Sequence, residues 1–271
     1  MNLGKRTRLQ RIFSHHTGRL CSVAIDHFIG YQAGPPVGLR NLPEIVNQLV
    51  AAGPDAITML KGAAMGIWEP YAGKIPLIIS SVLFTQDDAV IEVVAAPEEV
   101  SLLGADAIAV AIGVRGPNEG RYLKILATAV EQASRLNLPV FAHLYPRDFS
   151  GNPKIVHDPE NIMWAVRCGI ECGADVIKVP FTGDMESFQE IIAVSPVPVV
   201  AAGGPKCDTL EEALQSISLA MSAGARGATI GRNIWGNPDP VRALTAFKAV
   251  IHDGLTPEEA LETASLCGRV A

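Results

Sequence analysis

Four short stretches of this chain share one pattern: Gly53-Pro-Asp-Ala-Ile, Gly104-Ala-Asp-Ala-Ile, Gly173-Ala-Asp-Val-Ile and Gly224-Ala-Arg-Gly-Ala-Thr-Ile. Each reads as a helix stop that runs straight into a strand. Glycine tolerates the left-handed conformation that ends a helix, and the apolar and β-branched residues after it suit a strand buried on both faces. Gly53 and Gly104 are 51 residues apart, as are Gly173 and Gly224, about two β-α units. Between them lies a second kind of strand start, where proline opens an apolar run: Pro76-Leu-Ile-Ile, Pro139-Val-Phe-Ala and Pro198-Val-Val-Ala. With an opening strand over 20–26, the alternation predicts strands at 55–60, 76–82, 106–112, 139–145, 175–180, 198–202 and 227–231. Helical periodicity fills the intervals at Leu42–Ala52, Tyr122–Arg135, Pro159–Cys172 and Leu210–Ala223. That order is α/β, a single parallel (β/α)8 TIM barrel. A doubly wound open sheet is the alternative, but no GxGxxG turn follows the first strand.

The length of 271 residues suits one such barrel over 1–271, with a short basic N-terminal extension over about 1–18 and no boundary for a second domain. Residues Ile29 to Gly38, rich in Gly and Pro, read as an active-site loop after the first strand. With 48% hydrophobic and 18% charged residues the chain is globular, not disordered. A net charge of −6 with no basic block argues against nucleic acid, although a local phosphate pocket remains compatible with it. The opening MNLGKRTRLQRIF leads into His15, His16 and Thr17 instead of an apolar signal core, and no apolar run reaches bilayer length. Five cysteines without CxxC spacing imply neither a disulfide framework nor a zinc site, and Cys168 and Cys172 read as small buried hydrophobes. A soluble protein of the reducing cytoplasm, without membrane partners, is expected.

In such a barrel chemistry sits at the C-terminal ends of the strands. The polar residues there are Asp26, His27, Lys61, His143, Tyr145, Lys178 and Arg232. Lys178 interrupts an otherwise apolar strand and shares a face with Val176. If that face is inward, desolvation lowers its pKa and frees an amine to attack a carbonyl; the alternative is a lysine snorkelling from a strand end. His143 and Tyr145 share a face with Phe141, so a phenol able to carry protons and a histidine, proton carrier or pocket residue, point inward together. Asp26 shares a face with Ala24 and is placed to orient hydroxyls or assist proton transfer, or else to cap a loop. His27, of opposite parity, reads as supporting or structural. Ala201-Ala-Gly203-Gly204-Pro-Lys206 and Ile230-Gly231-Arg232 end adjacent strands. Their glycines permit close main-chain approach to a phosphate, and Arg232 can add a charge-assisted contact. Lys206 is either a contributor or a solvated loop lysine.

Together these residues resemble the archaeal-type class I fructose-bisphosphate aldolases and their relatives, the aminodideoxyheptulosonate synthases and the autoinducer-2 thiolase. The likeness spans nearly the whole chain. It rests on Ala24-Ile-Asp-His27, Tyr145-Pro-Arg147, Gly173-Ala-Asp-Val-Ile-Lys178, Thr182-Gly-Asp184, Gly203-Gly-Pro-Lys206 and Gly231-Arg-Asn233, in family order. The resemblance implies a Schiff-base lysine at Lys178, a proton donor and acceptor at Tyr145, a carboxylate partner at Asp26, and phosphate held by Gly204, Gly231 and Arg232. It also implies a homo-oligomer, often a ring-based decamer. A small phosphorylated sugar or dicarbonyl is the expected substrate, with no metal and no cofactor expected. Two departures bear on substrate choice: Phe28 follows Asp-His where relatives commonly have Gly, and His143 stands where the archaeal sugar-bisphosphate aldolases resemble one another in having Trp.

Transaldolase-like or thiolase-like transfer through the same lysine is the nearest rival. A barrel that binds a phosphorylated ligand without covalent chemistry is a second. A class II metal aldolase is a third, and the six histidines show no HxH or HExxH spacing to support it.

Overall fold

A computed structural model describes residues 2–27, 34 and 36–267. The barrel strands are β1 (Leu20–Ala24), β2 (Ala56–Leu60), β3 (Leu77–Ser80), β4 (Ala107–Val114), β5 (Val140–Asp148), β6 (Val176–Val179), β7 (Val199–Ala202) and β8 (Gly227–Ile230). Each pairs in parallel with its neighbours in sequence, and β8 closes on β1 in the register Leu20↔Gly227. The result is a closed TIM barrel with helices between strands. Every expected strand is present, and the helix Leu42–Ala52 spans the residues its periodicity marks. The expected loop 29–38 falls largely outside the described residues, and Phe28 wholly so.

The repeat has a mechanical meaning. Its four opening glycines, Gly53, Gly104, Gly173 and Gly224, all have positive φ, between 66° and 100°. That conformation costs a residue with a Cβ about 1–2 kcal/mol. In the first three repeats the aspartate two residues on reaches sideways to a backbone N–H at the start of the preceding strand. Asp55 Oδ2 accepts from Cys21 N at 2.6 Å, Asp106 from Leu77 N at 3.3 Å and Asp175 from Val140 N at 2.9 Å. Side chains thereby satisfy backbone donors at the barrel's lower rim.

The same carboxylates hold the N-terminal segment. Residues Leu3–Ile12 form a helix beneath the barrel, with Lys5 Nζ 2.8 Å from Asp175 and Arg11 Nη1 2.8 Å from Asp106. Arg8 donates to the carbonyl of Ala105. Ile12 packs with Leu20, Ala56, Ile78, Phe141, Val176 and Val200 to fill the lower interior. The basic residues of the extension thus anchor a plug whose apolar end completes the barrel core. Above this layer the inward residues turn polar at Ser22, Thr58, Ser80 and Thr229, all buried.

Two short pairings lie outside the sequence expectation. Val82–Phe84 and Ile91–Val93 form an antiparallel hairpin after β3, and Lys154–Ile155 pairs back on Arg147–Asp148 at the end of β5. Both rise over the C-terminal mouth and wall the site. Among the described residues no helix is long and apolar enough to cross a membrane.

Candidate active site

The inward parity of β6 places Lys178 inside the mouth, in register with His143 of β5 and Val200 of β7. Lys178 is 4% exposed and His143 3% exposed. An ammonium in this position has lost most of its hydration, which disfavours the charged form. Burial accordingly brings the Lys178 pKa down to about 8; the Asp26 carboxylate opposes the shift and the Arg232 guanidinium adds to it. His143 is held well below its ordinary value by burial first and by Lys178 second, so it is a neutral imidazole at neutral pH.

Tyr145 lines the same cavity, its ring 6.0 Å from that of Phe84 in the hairpin after β3. Burial raises its pKa, the negative charge of Asp26 raises it further, and Arg232 opposes both. The phenol therefore stays protonated and available as a hydrogen-bond donor. Asp26 and His27 follow the end of β1, with His27 Nδ1 3.4 Å from Asp26 Oδ1. Burial lowers the His27 pKa although Asp26 opposes it. Its ring lies against Trp235, whose Nε1 donates to the carbonyl of Ala24 at 3.0 Å. Because β1 ends at Ala24, strict alternation no longer governs His27, and its side chain reaches the pocket.

Gly203, Gly204, Gly231 and Arg232 line one recess of this mouth, joined by Thr229 and Lys178. Gly231 packs closely: a Cβ there would sit 2.6 Å from His27 Cε1 and 3.0 Å from the Ala24 carbonyl, so a side chain would displace the His27 ring. Arg232 Nη2 donates to the carbonyl of Gly204 at 3.0 Å, tying the two loops together. Asn233, buried beneath them, accepts from Cys207 N at 2.9 Å and donates to the carbonyls of Gly203 and Pro205 at 2.8 and 2.9 Å. It sets the shape of the whole Gly-Gly-Pro turn. The larger cavity, of about 600 Å³, runs from Arg232 past Lys178, Asp26, His143 and Tyr145 to the turn Thr85–Asp87.

Two lysines stand apart from this convergence. Lys206 is exposed, donates to the carbonyl of Cys207 at 3.0 Å and does not line the recess. Lys61, next after inward Leu60, faces away from the barrel axis and pairs with Glu99 at 2.6 Å. Among the described residues no group of three or more His, Cys, Asp or Glu is arranged to hold a metal ion.

A model of the DeoC/LacD family aldolases matches residues 20–237. The chain belongs to that family. It is 34% identical over 265 residues to a 2-amino-3,7-dideoxy-D-threo-hept-6-ulosonate synthase of Halobacterium salinarum, covering 97% of each chain. It is 32% identical over 254 residues to a 2-amino-4,5-dihydroxy-6-oxo-7-(phosphonooxy)heptanoate synthase of Streptomyces griseus, covering 92% of this chain and 90% of the other. A solved archaeal fructose-1,6-bisphosphate aldolase, its catalytic Lys covalently bound to the carbinolamine intermediate of the substrate, superposes with a TM-score of 0.80 at 29% identity. That match covers 91% of this chain and 99% of the other. The protein is an enzyme of the aldolase type.

Within this fold several of the motifs named above do supporting work. Thr182-Gly-Asp184 is a helix cap: Asp184 Oδ2 accepts from Ser187 N at 2.8 Å and Thr182 Oγ1 donates to the Asp184 carbonyl at 2.8 Å. Arg147 of Tyr145-Pro-Arg147 is buried behind the hairpin wall. Sequence reasoning gave no role to Asn233, Arg147 or His157, which lines the recess with Nδ1 3.0 Å from the carbonyl of Phe181. Asn233 and Arg147 at least stand inside the motifs that carried the resemblance; His157 carried no signal.

Proposed function

We propose that the protein is a class I aldolase that makes or breaks a carbon–carbon bond in a small phosphorylated ketose or related sugar phosphate through an imine on Lys178. The observation that carries this reading is a lysine 4% exposed inside the barrel mouth, with its pKa brought to about 8. In this reading the free amine adds to the substrate carbonyl, and the carbinolamine loses water to give an imine. The bond between the carbons α and β to the imine carbon then breaks, with its electron pair drawn toward the iminium to leave an enamine. The leaving carbonyl is formed as its hydroxyl proton passes to a base, and the enamine carbon is reprotonated before hydrolysis. Tyr145 carries these protons, with Asp26 as its carboxylate partner and the neutral His143 positioning the hydroxyls. Gly203, Gly204, Gly231 and Arg232 hold the phosphate, and His27 supports that recess.

The similarity to an aldolase trapped as a carbinolamine supports the imine. The two relatives with synthase names favour a second reading, in which the same enamine is captured by a different acceptor aldehyde. Free Cys21, Cys168, Cys172 and Cys207 fit the cytoplasmic location proposed with it. Incubation with a panel of ketose phosphates and phosphorylated dicarbonyls in deuterated solvent, followed by NMR, tests the proposal. Cleavage or transfer products, with deuterium at the carbon α to the imine, are expected. Binding without either would leave a non-covalent phosphate-binding barrel.

A further inference from the structure

The phosphate recess belongs to the loops after β7 and β8, whereas the far wall of the cavity is the turn Thr85–Asp87 after β3. In a closed barrel of eight strands, β3 and β7 lie across the axis from each other. The two ends of an extended substrate centred on Lys178 therefore meet very different chemistry. One end meets glycine amides and Arg232. The other meets Gln86 and Asp87, both exposed at the cavity wall.

The cation nearest that wall is already spent. Arg147 has a side chain 0% exposed, paired at 2.5 Å with Asp88, whose side chain is 3% exposed. Arg147 Nη1 also donates to the carbonyls of Thr85 and Gln86, each at 3.0 Å. The Tyr122 hydroxyl donates to Asp88 at 2.7 Å, and the guanidinium lies over the rings of Phe84, Tyr122 and Phe149. Gly113 leaves the space, since a Cβ there would fall 2.0 Å from Arg147 Nη2. Arg147 Nε and Nη2 make no hydrogen bond, but the guanidinium is fully buried, ion-paired with Asp88 and does not line the cavity, so it holds the turn in place and does not face an anion there. Within the turn, Asp87 Oδ1 accepts from Thr85 Oγ1 at 2.5 Å and from Ala89 N at 3.1 Å, and these bonds lower its pKa. It remains a carboxylate at neutral pH. Among the described residues lining the cavity, Lys178, Arg232 and the two histidines are the basic groups, and none belongs to this wall.

Resting on the Schiff-base reading above, we infer that the enzyme selects monophosphates: a ketose phosphorylated at the donor end whose acceptor end, against Gln86 and Asp87, carries hydroxyl or other non-anionic groups. A second phosphate there would lie beside the Asp87 carboxylate with no compensating cation among the described residues of that wall, inside the roughly 8–10 Å over which like charges repel at physiological salt.

Cyanoborohydride trapping of fructose 1-phosphate and fructose 1,6-bisphosphate, read by intact mass as a function of ketose concentration, tests this. Fructose 1-phosphate should reach half-trapping at a concentration lower by about tenfold or more, from like-charge repulsion at one subsite. Asp87→Asn keeps the turn's hydrogen-bond acceptor and should narrow the ratio. Gln86→Lys, at an exposed position, should bring the bisphosphate level with or below the monophosphate. Equal or tighter trapping of the bisphosphate by the unaltered enzyme overturns the inference, as does a ratio that neither variant moves. If neither ketose is trapped while both bind, the Schiff-base reading itself fails and this inference falls with it.

Discussion

A Lys178 pKa of about 8, against an ordinary value of 10.5, makes a quantitative claim about pH. At pH 7 an amine with the lower value is about 9% unprotonated and one with the higher about 0.03%, roughly a three-hundredfold gain in nucleophile. Because the folded value is depressed, the free amine increases tenfold per pH unit up to about 8 and then levels. The assay is the rate of cyanoborohydride-dependent labelling by dihydroxyacetone, which lacks phosphate and so isolates amine reactivity from anion binding. Two variants fix the sign. Arg232 lowers the Lys178 pKa, so Arg232→Met should move the curve to higher pH; Asp26 raises it, so Asp26→Asn should move the curve to lower pH. A labelling rate that climbs unbroken to pH 10, or variants that shift the curve in the same direction, would refute the electrostatic account of the site.

Other outcomes follow from single contacts. Arg232→Ala should raise KM for a phosphorylated substrate about thirtyfold, from loss of a charge-assisted bond of about 2 kcal/mol, and leave the dephosphorylated analogue far less affected; equal effects in steady-state kinetics would remove the phosphate role. Tyr145→Phe should lose turnover by about a hundredfold or more while borohydride labelling persists and α-deuterium exchange slows; lost labelling with normal exchange would contradict it. Asp175→Ala strips the acceptor from Val140 N and leaves Lys5 buried without its carboxylate, which should lower the urea-derived unfolding free energy by on the order of 3 kcal/mol. A loss below about 0.5 kcal/mol would mean that the N-terminal plug is not held as described.

The barrel was legible because its punctuation is local. A glycine at a left-handed helix end and a proline at a strand start each act through their own backbone, so Gly53, Gly104, Gly173 and Gly224 mark the architecture without knowledge of the tertiary contacts. Period-2 alternation likewise put Lys178, His143 and Tyr145 on one inner face. It failed at His27 because β1 stops at Ala24 and the chain turns. The N-terminal helix was hidden for a different reason. Its seat depends on Lys5 meeting Asp175 and Arg11 meeting Asp106, pairs that are remote in sequence. The hairpin after β3 was hidden because Val82-Leu83-Phe84 reads as more of the same apolar strand. The antiparallel pairing with Ile91–Val93 and the buried Arg147–Asp88 pair, both remote from local pattern, turn the chain away to wall the cavity.

The central claim is that Lys178 forms a covalent imine with substrate. Borohydride reduction in the presence of a phosphorylated ketose, followed by peptide mass spectrometry, addresses it directly. The expected result is one substrate-derived secondary amine per chain on Lys178, absent in Lys178→Met and unaffected by EDTA. An adduct on another residue, or full turnover in Lys178→Met, would contradict it.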